Sequence, residues 1–131
     1  MLEELSVLRE CRRVLKRDGR LVVVTIEIAE GLGAAERAQA TELGPEDLGT
    51  GGPLRDLVAQ SGFEVVIERD LTEDFRVSLL DRLNALDQND AELRRAEGHE
   101  MVDTEREKRA NMLTAVQEGL LRRTALVGRA W

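Results

Sequence analysis

The sequence of 131 residues is 42% hydrophobic and 34% charged, and its formal net charge is −7. A chain of this length accommodates one domain. The acidic balance argues against a nucleic-acid partner, because general affinity for nucleic acid needs clustered Lys and Arg that replace phosphate counterions. No apolar run approaches the length needed to cross a bilayer, and the first residues lack a basic-then-apolar signal pattern. We therefore predict a cytoplasmic protein with no membrane partner.

Residue types that often carry catalysis are scarce. Cys11 is the single cysteine and lies in an amphipathic segment, so we interpret it as a small apolar residue and expect no cysteine-based metal site. His99 is the single histidine, in a predicted turn between helices, and a lone histidine lacks the partners that a base or ligand needs. The basic pairs, such as Arg122–Arg123, have acidic neighbours and are interpreted as solvated faces.

The pattern of residues 2–28 predicts a helix followed by a strand. Leu5, Leu8, Cys11 and Leu15 recur at helical spacing within 2–16. Gly19 is expected to take the left-handed conformation that ends this helix. The segment 21–28 is nearly all apolar and β-branched up to Ile26, without alternation, which is typical of a strand covered on both faces. The fold class is therefore α/β.

The middle of the chain predicts a linker, two helices and a second strand. Within 29–52 a short helix is expected at 34–43, and the glycine pairs of this region lack the spacing of a phosphate-binding loop. Pro53 suits the first position of a helix over 53–60, whose inner face carries Leu54, Leu57 and Val58. The segment 63–70 is a second strand near the sheet edge, parallel to the first.

The pattern of residues 72–130 predicts two helices and a final strand. A helix over 72–95 is capped by Thr72 and carries an apolar stripe, and a break falls at Gly98–His99. A further helix covers about 102–118 and ends at Gly119. The segment 124–130 forms a short third strand. The stripe consists of Phe75, Leu79, Leu83, Leu86 and Leu93.

Two segments carry a resemblance to a known family. Residues 8–23 (LRECRRVLKRDGRLVV) resemble the helix, turn and fifth strand of class I S-adenosylmethionine-dependent methyltransferases, commonly written R-V-L-K-P-G-G-R-L. Arg17 and Asp18 replace the usual Pro and Gly. Residues 61–66 (SGFEVV) are similar to the A-G-F-x-x-V entry to the family's sixth strand. Residues 70–75 and 120–123 resemble small-molecule members that carry a helical insertion before the last strand.

The resemblance covers nearly the whole chain but only the carboxyl-terminal half of the family's Rossmann-like fold. It implies the strand order 5-7-6 with an antiparallel last strand. It also implies a division into 1–74, a helical insertion or lid over 75–119, and a final strand within 120–131. The glycine-rich loop and the acidic strand end that hold most of the cofactor in the family are absent from these residues. The strand 21–28 would need a second neighbour, so we expect the missing half, or self-association, to cover its open edge.

The resemblance implies methyl transfer from S-adenosylmethionine to a small-molecule acceptor, with this chain as the substrate-side half and inactive alone. Thr25, Glu27 and Ile28, at the strand end, are the candidate substrate-binding residues, while the catalytic residues stay unassigned. Glu27 would contact a basic or hydroxyl-bearing acceptor, although a solvated carboxylate at a strand end fits equally well. No cofactor-binding residue and no metal ligand is expected in this chain.

Two other classes of function are compatible with the sequence. The first is a non-catalytic α/β interaction module that docks through the open strand edge onto a partner or a second copy. The second is another nucleotide-binding α/β enzyme, which is disfavoured because the sequence has no phosphate loop.

Overall fold

The structure is a computed structural model that describes residues 3–46, 48 and 52–131. Predictions for Leu2 and for residues 49–51 lie outside the described residues. No helix within the described ranges combines the length and apolar composition needed to cross a membrane. The cytoplasmic location stays a prediction. In chain order the elements are α1 (Glu3–Val14), β1 (Arg20–Ile28), α2 (Ala34–Leu43), α3 (Leu54–Gln60), β2 (Phe63–Asp70), α4 (Thr72–Gln88), α5 (Asp90–Glu97), α6 (His99–Gln117) and β3 (Leu121–Ala130).

The sheet has the order β1-β3-β2, which confirms the predicted order 5-7-6. β3 pairs antiparallel with both neighbours, so β1 and β2 run parallel to each other as expected. Val23 faces Leu126 in the first ladder, and Phe63 faces Ala130 in the second. A register shift between Val65 and Ile67 bends β2 at the sheet edge. All three strands are thus held together through β3.

Two apolar layers cover the sheet, because alternate residues of β3 point to opposite faces. Leu126 belongs to the layer under α1 and α3, which includes Leu8, Val58 and Phe63. Leu121 belongs to the layer under α2, α4 and α6. Buried members of this second layer include Ala40, Phe75, Leu79, Met112, Ala115 and Val116. The predicted inner residues of α3, Leu54, Leu57 and Val58, are confirmed as buried.

Coverage of β1 on both faces, predicted from its apolar run, is wrong for this chain alone. Val22 is 68% exposed and Val24 is 48% exposed. The reason is that the layer under α2, α4 and α6 reaches β1 only at Ile26 and Ile28. β1 also pairs with β3 alone among the described strands, so one of its edges is open. An uncovered apolar face therefore adjoins an unpaired strand edge.

The turn before β1 differs from the prediction. Asp18, and not Gly19, adopts a positive φ, of 68°. Asp is one of the few residues with a side chain that tolerates this region, because its short polar group can hydrogen-bond locally. Gly19 is required for another reason, since its N–H donates to the carbonyl oxygen of Lys16 at 2.8 Å. A Cβ at Gly19 would lie 2.8 Å from that same oxygen.

Helix limits are largely as predicted, with four corrections. Pro53 precedes α3 as its cap rather than opening it. The predicted helix over 72–95 is two helices, because the chain breaks at Asn89. His99 lies in the first turn of α6, since the break is at Gly98, with φ 89°. Gly119, at φ 74°, ends the helix region as expected.

The fourth correction concerns the start of α4, where Asp70 rather than Thr72 supplies the cap. One carboxylate oxygen of Asp70 accepts the Thr72 N–H at 2.9 Å and also the Thr72 hydroxyl. These hydrogen bonds, first from the hydroxyl and then from the backbone, lower the pKa of Asp70 below its usual value. The carboxylate thus satisfies an N–H that has no partner within the helix.

We expect Asp70→Ala to lower the free energy of unfolding by about 0.5–1 kcal/mol at pH 7, as removal of a helix cap does. The folded-state pKa of Asp70 is lowered, so its stabilisation is present above the ordinary Asp value of 3.8 and is lost as the pH falls below it. Urea unfolding at pH 7 and pH 3 measures this change. Asp81→Ala, on an exposed part of α4, is the control. A difference that persists undiminished at pH 3 would contradict a role for the charge.

Candidate functional site

A cleft of about 440 Å³ lies between β1 and the helices that follow β2. β1 contributes Thr25 to its lining, between Val24 and Ile26, and the connection before α3 contributes Leu48. Helix α4 provides Phe75 and Arg82, α6 provides Arg109, and β3 provides Arg123. The cleft thus lies where the carboxyl-terminal part of β1 meets α4 and α6, and Thr25 is the predicted site residue that borders it.

Aromatic and cationic groups meet at one wall of the cleft. The guanidinium carbon of Arg123 lies 5.4 Å from the centroid of the Phe75 ring. A cation at this distance is attracted by the negative face of the ring. Phe75 is itself buried, so it holds Arg123 in a fixed place at the sheet end of the cleft.

Two further arginines are linked through one carboxylate. Glu105 accepts a hydrogen bond from Nε of Arg109 at 2.8 Å and one from Arg82 at 3.4 Å. The hydrogen bond from Arg109 is the main reason that the pKa of Glu105 is lowered, and burial opposes the shift. Because Arg82 is on α4 and Glu105 is on α6, the contact between them also ties the two helices together beside the cleft.

Glu27 is neither solvated nor free, because it is 8% exposed and its carboxylate accepts three hydrogen bonds. One comes from the backbone N–H of Leu54 at 3.0 Å, at the start of α3. The others come from Nε of Arg122 at 2.8 Å and the hydroxyl of Thr124 at 2.9 Å, both on β3. This carboxylate therefore joins β1, β3 and α3. Its proposed contact with a substrate stays a prediction.

The partner of Glu27 extends the network across the sheet. Arg122 also donates to Glu68 of β2 at 3.3 Å. Burial opposes the charge of Arg122, but the hydrogen bond that Arg122 donates to Glu27 and the charges of Glu27, Glu30 and Glu68 raise its pKa above the usual value. The interpretation of Arg122–Arg123 as a solvated pair is therefore wrong, since both are partly buried in a strand.

The three predicted site residues do not line one cavity. Thr25 lines the cleft, whereas Glu27 and Ile28 border a separate hollow of about 50 Å³. Ile28 also packs against the layer under α2, α4 and α6. The arginines of the cleft were missed by sequence reasoning, because they are 27 and 14 residues apart along the chain and on different elements. The only sequence signal was the pair Arg122–Arg123.

The described residues do not fit the binding of S-adenosylmethionine by this chain alone. The one strand-to-helix connection with closely spaced glycines is Gly31–Gly33, between β1 and α2. The Gly33 N–H already donates to the carboxylate of Glu36 at 3.2 Å, so this amide is not available to a ligand. Glu27, the acidic residue at a strand end, is likewise committed to internal partners. Within the described ranges no group of His, Cys, Asp and Glu is arranged to hold a metal ion.

We expect Glu27→Gln to lower the free energy of unfolding by about 2 kcal/mol, because hydrogen bonds to a buried charge are worth more than neutral ones and Arg122 loses its closest counter-ion. Glu64→Gln is the matched control, since it removes a carboxylate from the more exposed pair with Arg129, where solvent screens the charges, and it should cost clearly less. Urea unfolding of both variants measures the difference. Equal costs would show that the Glu27 network does not stabilise the fold.

No protein-family model matches the sequence, and no curated protein sequence matches it. Solved structures do match the fold. One is a protein assigned as a sarcosine dimethylglycine methyltransferase from Galdieria sulphuraria, with a TM-score of 0.84 and 17% identity over 97% of this chain and 47% of that chain. Another is the cyclopropane synthase MmaA2 from Mycobacterium tuberculosis, with a TM-score of 0.76 and 15% identity over 97% of this chain and 50% of that one.

A third match is phosphoethanolamine N-methyltransferase 2 from Haemonchus contortus, solved with phosphomonomethylethanolamine and S-adenosylhomocysteine. Its TM-score is 0.78 at 12% identity, over 96% of this chain and 29% of that chain. The chain therefore spans about half the length, or less, of the structures it matches. Identities this low show the fold alone. The chain has the fold of the carboxyl-terminal half of the class I S-adenosylmethionine-dependent methyltransferases.

Proposed function

We propose that this chain forms the acceptor-binding part of an S-adenosylmethionine-dependent methyltransferase that acts on a small molecule. The observation that carries the proposal is the match to methyltransferase folds along 97% of this chain but only 47% of the matched chain. Neighbours with this fold have been solved with S-adenosylmethionine or S-adenosylhomocysteine. The cleft supports the same function, because it opens beside the end of β1, where α/β sheets commonly bind ligands.

In this function the residues of the chain bind and orient the acceptor and keep water from it. The walls formed by Phe75 and Leu79 of α4, and by Leu48, supply apolar contact. Thr25 is the predicted site residue that borders this space. The insertion α4–α6 acts as wall and lid, and methyl transfer then depends chiefly on positioning. The cofactor is held by residues outside the given sequence, on strands that complete the sheet beside β1 and belong either to a larger catalytic domain or to a partner polypeptide.

A titration of S-adenosylmethionine tests this function by calorimetry. We expect no heat with the chain alone, since its described residues do not form a cofactor site. The polypeptide encoded directly upstream of the Met1 codon should contain a strand followed by a glycine-rich loop, and a mixture of the two should bind the cofactor. Tight cofactor binding by the chain alone, or none by the mixture, would contradict the proposal.

The open side of β1 favours a second candidate, a non-catalytic module that docks onto a partner or onto a second copy. β1 pairs on one side only within the described sheet, and Val22 and Val24 next to that edge are exposed. Unpaired strand edges bind other strands readily, and exposed apolar side chains favour such contacts. The two candidates share this surface and differ in whether a cofactor site is completed.

If the surface docks onto a second copy, the paired substitution Val22→Lys and Val24→Lys should convert a dimer into a monomer, because it places two charges on the apolar face. Light scattering after size exclusion measures the mass in solution. Val7→Lys with Val14→Lys is the matched control, since these valines are 58% and 65% exposed on α1. Similar masses for both pairs of substitutions, or a wild-type monomer, would count against self-association through β1.

A further inference from the structure

We propose that the cleft binds the anionic end of its small molecule, a carboxylate or phosphate group joined to an apolar body. The inference rests on the proposed function in treating this molecule as the methyl acceptor, and it adds the chemical class that the acceptor belongs to. Binding of such a molecule needs no cofactor, so it can be measured independently of methyl transfer.

The charge of the lining is the first argument. Three arginines, Arg82, Arg109 and Arg123, line the cleft, and the described lining contains no Asp or Glu. The whole chain has 26 acidic residues against 19 basic ones. The positive charge of the cleft lining is therefore opposite in sign to the net charge of the chain. Groups of one sign along the walls of a cleft raise the local concentration of oppositely charged ligands.

Arg123 provides the second argument, because it forms no ion pair with a carboxylate in the described part of the chain. Other arginines with partly buried side chains are paired, such as Arg122 with Glu27 and Arg94 with Asp90. Arg123 is partly buried and lies against the Phe75 ring, and its planar donors have no anionic acceptor among the described residues. A guanidinium group in this state fits a carboxylate or a phosphate with two parallel hydrogen bonds.

The other two arginines share a single counter-ion. Arg82 and Arg109 both contact Glu105, at 3.4 Å and 2.8 Å. One carboxylate neutralises one of the two positive charges, so a positive charge remains on this side of the cleft. Arg82 is also 58% exposed in its side chain, so it can move toward a bound anion at little cost. The cleft can thus contact an anion from α4 and β3.

The apolar part of the lining defines the rest of the ligand. Val24 and Ile26 line the cleft from β1, and Leu48, Phe75 and Leu79 line it from the other elements. A volume of about 440 Å³ lies within the range of sites that bind small molecules. A purely ionic ligand would leave these walls in contact with water. An anionic group joined to a short apolar chain fits both parts of the lining.

Isotope-edited NMR titration of the full chain tests the inference with four probes that have six carbon atoms each, namely hexanoate, hexyl phosphate, hexanol and hexylamine. We expect hexanoate or hexyl phosphate to bind at least about fivefold more tightly than hexanol, since a charged hydrogen bond is worth more than a neutral one. The more tightly bound of the two anions distinguishes a carboxylate acceptor from a phosphate acceptor. Equal binding of hexanol and both anions, or tighter binding of hexylamine, would overturn the proposal.

Two substitutions locate the binding. Arg123→Met keeps an unbranched apolar side chain against Phe75, and Arg82→Gln changes an exposed position, so both variants should remain folded. We expect each to weaken binding of the preferred anion by about fivefold to tenfold. Arg76→Gln is the matched control on α4, because Arg76 pairs with Glu73 and does not line the cleft. If Arg123→Met and Arg82→Gln bind the anion as the wild type does, the inference is wrong.

The outcomes separate this inference from the proposed function. Anion binding that depends on Arg123, in a chain that never gains cofactor binding with the upstream polypeptide, would support the anion site and contradict the methyltransferase. Cofactor binding by the mixture, with no preference for anionic probes, would support the methyltransferase and contradict the anion site.

Discussion

The buried carboxylate of Glu27 is the constraint on which the arrangement of β1, β3 and α3 depends. A charge in this position is tolerated only when partners replace the water it has lost. Those partners come from the N–H of Leu54 and from Arg122 and Thr124, so the start of α3 and the middle strand are fixed relative to β1. Arg122 carries the same network to Glu68 of β2. A polar network thus adds side-chain contacts across three strands whose register the backbone ladders also fix.

The parts of the fold that depend on local chemistry were predictable. The limits of α2 and β2, the buried side of α3 and the end of α6 follow from periodicity and from glycine positions. Errors arose where two residues compete for one role. Asp18 adopts the positive φ expected of Gly19, and Asp70 supplies the cap expected of Thr72. No proline or glycine marks the break at Asn89, and the apolar stripe continues across it, so the sequence predicted one continuous helix.

The cleft could not be predicted, because it is built from residues that are distant along the chain. Its three arginines lie on different elements, Arg82 on α4, Arg109 on α6 and Arg123 on β3. They line the same cleft only because these elements pack beside β1. In the sequence Arg82 has no basic neighbour, Arg109 follows Lys108 and Arg123 follows Arg122, so no spacing marks the three as one group. Thr25 lines the cleft near the end of β1, and its predicted contact with a substrate stays a prediction. Glu27 was assigned a free carboxylate because its partners on β3 lie about 95 residues away.

The central position of β3 sets the order in which this protein can fold during synthesis. Among the described strands, β1 and β2 pair only with β3, which is the last of the three to leave the ribosome. Until residues 121–130 emerge, both earlier strands have unpaired edges, and their ladders must then close over long loops, which is slow. Val22, Val24 and Ile67, which are exposed in the folded chain, thus lie on strands that stay without their β3 partner until the last of the three strands has been made.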